Sequence, residues 1–137
     1  MKPEEIAERI ASEVSPRVDS QLVDEIYVAV RPGREDDPDP VSKLVSRGED
    51  VFLVYIGLKE SEESGADRTL VDPRNLEAMA IDLMEWAKEE FEDAHVLIGG
   101  VSFVWKGRSF RDLLRRYGED PDELVIVKEE ASGIPPR

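Results

Sequence analysis

Residues 50–58, Asp-Val-Phe-Leu-Val-Tyr-Ile-Gly-Leu, run almost without a polar break. A strand with one wet face alternates apolar and polar side chains. A strand apolar at nearly every position is one covered on both faces, in the middle of a sheet. This run therefore demands flanking strands and amphipathic helices from the rest of the chain.

The helices are legible. Residues 3–14 begin with Pro3 in a first turn, carry Glu4 and Glu5 at the positive helix start, and place Ile6, Ile10 and Val14 at four-residue steps. Pro16 ends them. Residues 73–92 carry Leu76, Met79, Ala80, Leu83, Met84, Ala87 and Phe91 at spacings of three and four, with Asp72 and Pro73 as N-cap and first-turn residue. A short helix is predicted at 41–47, closed by Gly48.

The strands come from β-branched and aromatic runs. Residues 23–31 and 123–127 are predicted as strands. In His-Val-Leu-Ile-Gly-Gly-Val-Ser-Phe-Val-Trp, Gly99 and Gly100 can supply the positive φ of a tight turn, which predicts a hairpin of strands 94–98 and 101–106. The alternative is one long strand with a glycine bulge. Residues 32–40 and 59–71 read as loops, the second mobile, and 131–137 as a disordered tail. The expectation is a single α+β domain over residues 1–130. It is a two-layer sandwich with a mixed sheet of about five strands and three main helices, or alternatively a three-layer α/β fold.

Composition removes several chemistries. There is no cysteine, hence no disulfide, thiolate metal site or cysteine nucleophile. With one histidine, a multi-histidine metal site within one chain is excluded. No phosphate-binding loop, dinucleotide fingerprint, serine elbow or His-Glu-x-x-His motif occurs, so no cofactor and no metal are expected. The acids of residues 35–39 could hold a hard cation, but they lack the alternating spacing and turn glycine of a calcium loop and read as a solvated loop. Glu60, Glu62 and Glu63 are weaker in the same role, and Glu85 and Glu89 beside Lys88 read as surface. Trp86, Trp105, Tyr27 and Tyr55 read first as core residues. The N-terminal residues are too charged for a signal peptide, and no apolar run reaches the ~18 residues of a membrane span. A cytoplasmic protein without membrane contact is expected. A net charge of −14 repels phosphates over most of the surface, which makes nucleic acid a poor partner.

Against that acidity, Lys106-Gly-Arg-Ser-Phe-Arg-Asp-Leu-Leu-Arg-Arg116 concentrates five of the 18 basic residues in eleven positions. Ser109 and Asp112 fit a capping box, so a helix is predicted over 109–117, with Gly118 just past its end. Phe110, Leu113, Leu114 and Tyr117 form its apolar stripe; Arg108, Arg111 and Arg115 share another face; Asp112 and Arg116 are spaced for an ion pair. Arg115 and Arg116 complement the negative end of the helix, which is a structural reason for them. Lys106, Gly107 and Arg108 lie where a strand meets a helix start, a place suited to an anion.

Three functions follow. The first is a non-enzymatic binding or assembly protein whose face of Lys106, Gly107, Arg108, Arg111 and Arg115 docks on an acidic protein surface or a second copy of the chain. The second is a binder of a phosphorylated or carboxylated small molecule at the same residues. The third is an enzyme on such a ligand, with His95, beside Asp93, or a nearby acid as general base.

The C-terminal segment from Val101 to Glu130 and the acidic composition, with one glutamine (Gln21), one asparagine (Asn75) and twelve arginines to six lysines, resemble small conserved proteins of methanogenic archaea that have no assigned function. The resemblance covers about the last 35 residues and implies an archaeal cytoplasmic protein. It assigns no catalytic residue. The scarcity of amides is also a thermophile pattern.

Overall fold

A computed structural model of the chain describes residues 1–61, 73–104 and 108–133. Four strands, β1 (Val23–Pro32), β2 (Val51–Glu60), β3 (His95–Val104) and β4 (Val125–Glu130), form one mixed sheet in the order β3-β2-β1-β4. β1 is antiparallel to both β2 and β4, and β2 is parallel to β3. The helices are α1 (Pro3–Val14), α2 (Val41–Ser46), α3 (Pro73–Glu90) and α4 (Phe110–Arg116). The parallel β2–β3 pair requires a crossover, and α3 provides it.

The apolar run at 50–58 is the central strand it was expected to be. Side chains alternate faces along a strand. Val54 and Ile56 of β2, with Val28 and Val30 of β1, pack against Ile6 and Ile10 of α1 and against Leu83 and Ala87 of α3. Their neighbours Leu53, Tyr55, Tyr27 and Ala29 turn to the opposite side, where Phe110 and Leu114 of α4 and Leu124 cover them. The fold is α+β, with two long helices on one face of the sheet and a seven-residue helix on part of the other. That arrangement lies between the two-layer expectation and its three-layer alternative.

Among the described residues the expected fifth strand is absent, because the glycine hairpin does not form. Residues 95–104 are one strand, and neither Gly99 nor Gly100 has a positive φ. Val54 pairs with Ile98 but Tyr55 with Gly100, so Gly99 is the additional residue of a bulge. The reason for glycine here is space. A Cβ on Gly99 would stand 2.7 Å from the Tyr55 ring, and one on Gly100 2.6 Å from the Tyr117 ring. On β2, a Cβ on Gly57 would stand 2.4 Å from the Phe110 ring. The three glycines are thus a floor for the aromatic side chains under and around α4.

Other boundaries move for local reasons. β2 continues through Lys59 and Glu60, so the polar segment expected from 59 starts later; residues 62–72, including the expected N-cap Asp72 and the acids Glu62 and Glu63, lie outside the described residues. Glu123 belongs to a 3-10 turn, Pro121–Glu123, capped by Asp120, and β4 therefore begins at Val125. The chain beyond β4 is held as far as Gly133: Ala131 N–H donates to Asp24, Ser132 N–H to Ser15 and Gly133 N–H to Val18 carbonyls. The remainder of the expected tail, 134–137, is outside the described residues.

Candidate functional site

The capping box predicted for α4 forms. Asp112 N–H donates to Ser109 Oγ at 3.1 Å, and Ser109 N–H donates to the Asp112 carboxylate at 3.4 Å. The Ser109 side chain and backbone hold the Asp112 carboxyl below its ordinary pKa. The start of α4 therefore carries its own carboxylate, next to Arg108. Lys106 and Gly107, the other residues expected there, and Trp105 lie outside the described residues.

The bases of this segment separate into two kinds. Arg111 is paired with Asp122, in the turn before β4. Arg115 is paired with Asp112 at 2.9 Å, a spacing one residue shorter than the expected Asp112–Arg116 pair. The capping box turns the Asp112 carboxylate toward the helix start, within reach of Arg115. Arg108 and Arg116 form no ion pair among the described residues. Both line a cleft of about 320 Å³ between β3 and α4, together with Leu76, Ser102, Phe103, Leu113 and the capping pair Ser109 and Asp112, whose carboxylate is already engaged by Arg115. The face expected from Arg108, Arg111 and Arg115 is thus re-divided, with Arg116 beside Arg108 and the other two arginines held by acids.

A second constellation was not identified from the sequence. Arg31, the last side chain of β1 before Pro32, is 4% exposed. Its Nε donates to both carboxylate oxygens of Glu119 at 3.0 and 2.5 Å. Its Nη1 donates to Asp37 Oδ2 at 2.8 Å and to the Pro32 carbonyl at 3.0 Å, and its Nη2 to Asp37 Oδ1 at 2.7 Å. Asp37 and Glu119 side chains are only 10% and 8% exposed. Arg31 holds the Asp37 carboxyl well below its usual range, with help from the Arg34 N–H. The solvated loop expected at 35–39 is corrected here: Glu35, Asp36 and Asp39 are exposed, but Asp37 folds inward as a partner for Arg31. The sequence signal was an arginine closing an apolar strand directly before an acid-rich loop.

The triad forms one end of a larger cleft of about 580 Å³. Tyr55 and Tyr117 stand in its wall with ring centroids 5.2 Å apart. Tyr117 also shares a 2.6 Å hydrogen bond with Ser102 Oγ. Burial, foremost, raises the Tyr55 pKa above its ordinary value and keeps the phenol neutral. Gly118 terminates α4 at a φ of +82°, a conformation that suits glycine, and this turn delivers Glu119 to Arg31.

His95 stands apart from both clefts. It is exposed at the start of β3, with Nε2 3.3 Å from a Glu49 carboxylate oxygen. Among the described residues, no three His, Asp or Glu side chains converge as metal ligands, and no helix is long and apolar enough to cross a membrane. Trp86 is half-buried, edge-on to Phe91 at 5.7 Å. Comparison with protein-family models, with curated proteins and with solved structures finds no match to this chain.

Proposed function

We propose that the protein is a non-enzymatic binding protein that takes an acidic segment of a partner protein into the cleft between β3 and α4. The reading rests on one observation: Arg108 and Arg116 line the same cleft and neither has an acid partner among the described residues, in a chain with 32 acidic side chains. A guanidinium presents a planar fork of donors that matches a carboxylate. Leu76, Phe103 and Leu113 give the cleft an apolar lining for the segment that carries the acids. The surrounding net charge of −14 repels partners whose acidity is diffuse and leaves this cleft for a locally presented pair of carboxylates. A cytoplasmic, archaeal setting belongs to the same proposal, from the composition and the resemblance of the C-terminal segment.

Titration of a fluorescent Glu/Leu octapeptide tests it. Saturable binding is expected, weakened about tenfold or more in Arg108→Ala/Arg116→Ala, which corresponds to about 1.4 kcal/mol, and changed less than about twofold in Arg111→Ala. Equal losses in the two variants, or no saturable binding, would show that the cleft is not the site. Stronger binding of tripolyphosphate at the same arginines would instead establish the small-anion reading.

A further inference from the structure

The larger cleft has a polar end that supplies acceptors and withholds donors. The donor groups of Arg31 are directed at Asp37, Glu119 and the Pro32 carbonyl, so the arginine has little left to offer a ligand. One guanidinium between two carboxylates leaves a net charge of −1, while Asp39 on the same cleft is offset by Lys43. A carboxylate has about four lone-pair sites. Glu119 uses its oxygens on a single donor, Arg31 Nε, and so retains acceptor capacity. An anion entering here would meet carboxylates, while an N–H cation would meet a largely buried carboxylate, where attraction is stronger than at a fully hydrated one.

The rest of the cleft fits the body of such a ligand. Its volume of about 580 Å³ falls in the range of small-molecule sites. Leu53, Leu97 and Met84 give it an apolar wall, and the packed Tyr55–Tyr117 pair adds aromatic surface to the lining. The cavity and the aromatic pair define the site; the carboxylates set the sign of the charge it accepts.

We propose that the cleft bounded by the 37–41 loop, Tyr55 and Tyr117 binds a small organic cation: a protonated amine, directed at Glu119, on an apolar or aromatic body. This site is separate from the Arg108–Arg116 cleft and selects for the opposite charge.

Calorimetric titration of the full chain with phenethylamine is the test, with phenethyl alcohol and phenylacetate as its neutral and anionic counterparts. Saturable one-site binding of the amine is expected, at least tenfold tighter than the alcohol, with no binding of phenylacetate. Glu119→Gln still accepts from Arg31 and is expected to weaken the amine at least tenfold; Tyr117→Ala removes a wall and is expected to weaken amine and alcohol alike. Arg108→Ala/Arg116→Ala is expected to leave amine binding unchanged, so this proposal and the peptide-binding reading fail independently. No saturation by the amine at tens of millimolar, equal binding of phenylacetate, or an unaltered affinity in a folded Glu119→Gln protein would each overturn the site. Should Glu119→Gln not fold, the amine-to-alcohol ratio on the wild-type chain decides alone.

Discussion

Arg31 and Arg108 lie at opposite ends of the region around α4, and they solve the same problem in opposite ways. Arg31 is buried and answered by two carboxylates and a backbone carbonyl. Arg108 is exposed and, like Arg116, pairs with no acid among the described residues. The difference teaches that the density of bases along a sequence marks a surface, not a commitment. Five bases in eleven residues drew attention to 106–116, yet two of them are held by surface acids at Asp112 and Asp122. The most committed arginine of the described chain comes from a strand that itself carries no other base.

The largest expected effect tests that contrast directly. Arg31→Ala leaves Asp37 and Glu119 facing each other in a buried setting without their counter-charge. Removing one side of a buried ionic cluster typically costs about 3–5 kcal/mol, which urea unfolding would read as a large fall in midpoint at unchanged slope. The same substitution at Arg108 is expected to fall within about 0.5 kcal/mol. A loss below about 1 kcal/mol in Arg31→Ala would break the comparison, because it would mean that the 33–40 loop opens and hydrates both acids at little cost.

A narrower effect comes from Asp37, and its sign is fixed by the direction of its pKa. The folded-state pKa is depressed, first by the hydrogen bonds from Arg31, relative to an unfolded value of about 3.9. Its contribution is therefore present above about pH 4 and is lost as pH falls through the folded-state value. Asp37→Asn keeps one acceptor and gives up the charge, so at neutral pH it is expected to cost about 1.5–3 kcal/mol, the usual worth of a hydrogen bond to a charged group. Stability curves of the two proteins should converge as pH is lowered below 4. A constant gap down to acid pH would show that packing of the side chain, not its charge, is what matters.

Much of the fold was legible because it depended on periodicity. The span of α1, the central position of β2 and the capping box at Ser109 follow from spacing alone, and the structure has them. What was illegible depended on contacts between distant residues. Gly99 and Gly100 satisfy a hairpin rule locally; that they instead seat Tyr55 and Tyr117 is decided by β3 running beside β2 and α4 closing over both. Asp37 looks like any acid of its loop until β1 and the turn after α4 bring Arg31 and Glu119 to it. The charge run at 106–116 was visible, but its division was not, because Asp122 reaches Arg111 only through the fold.

The smallest effect sharpens the exposed side of the comparison. In α4 the neutral side chain of Ser109 answers a backbone N–H that would otherwise be left without a helical partner, and it also positions Asp112. Ser109→Ala is expected to cost about 1 kcal/mol, as N-cap losses do. Arg116 has no such structural duty among the described residues, so Arg116→Ala is expected to cost less than about 0.5 kcal/mol, as surface substitutions do. Thermal unfolding of the two variants side by side reads the order. If Arg116→Ala proved the costlier of the two, Arg116 would be a structural arginine in the manner of Arg31, and its cleft would lose one of the two cations on which peptide binding depends. If the expected order holds, Arg116 is idle in folding, and its place in so acidic a chain is left to binding.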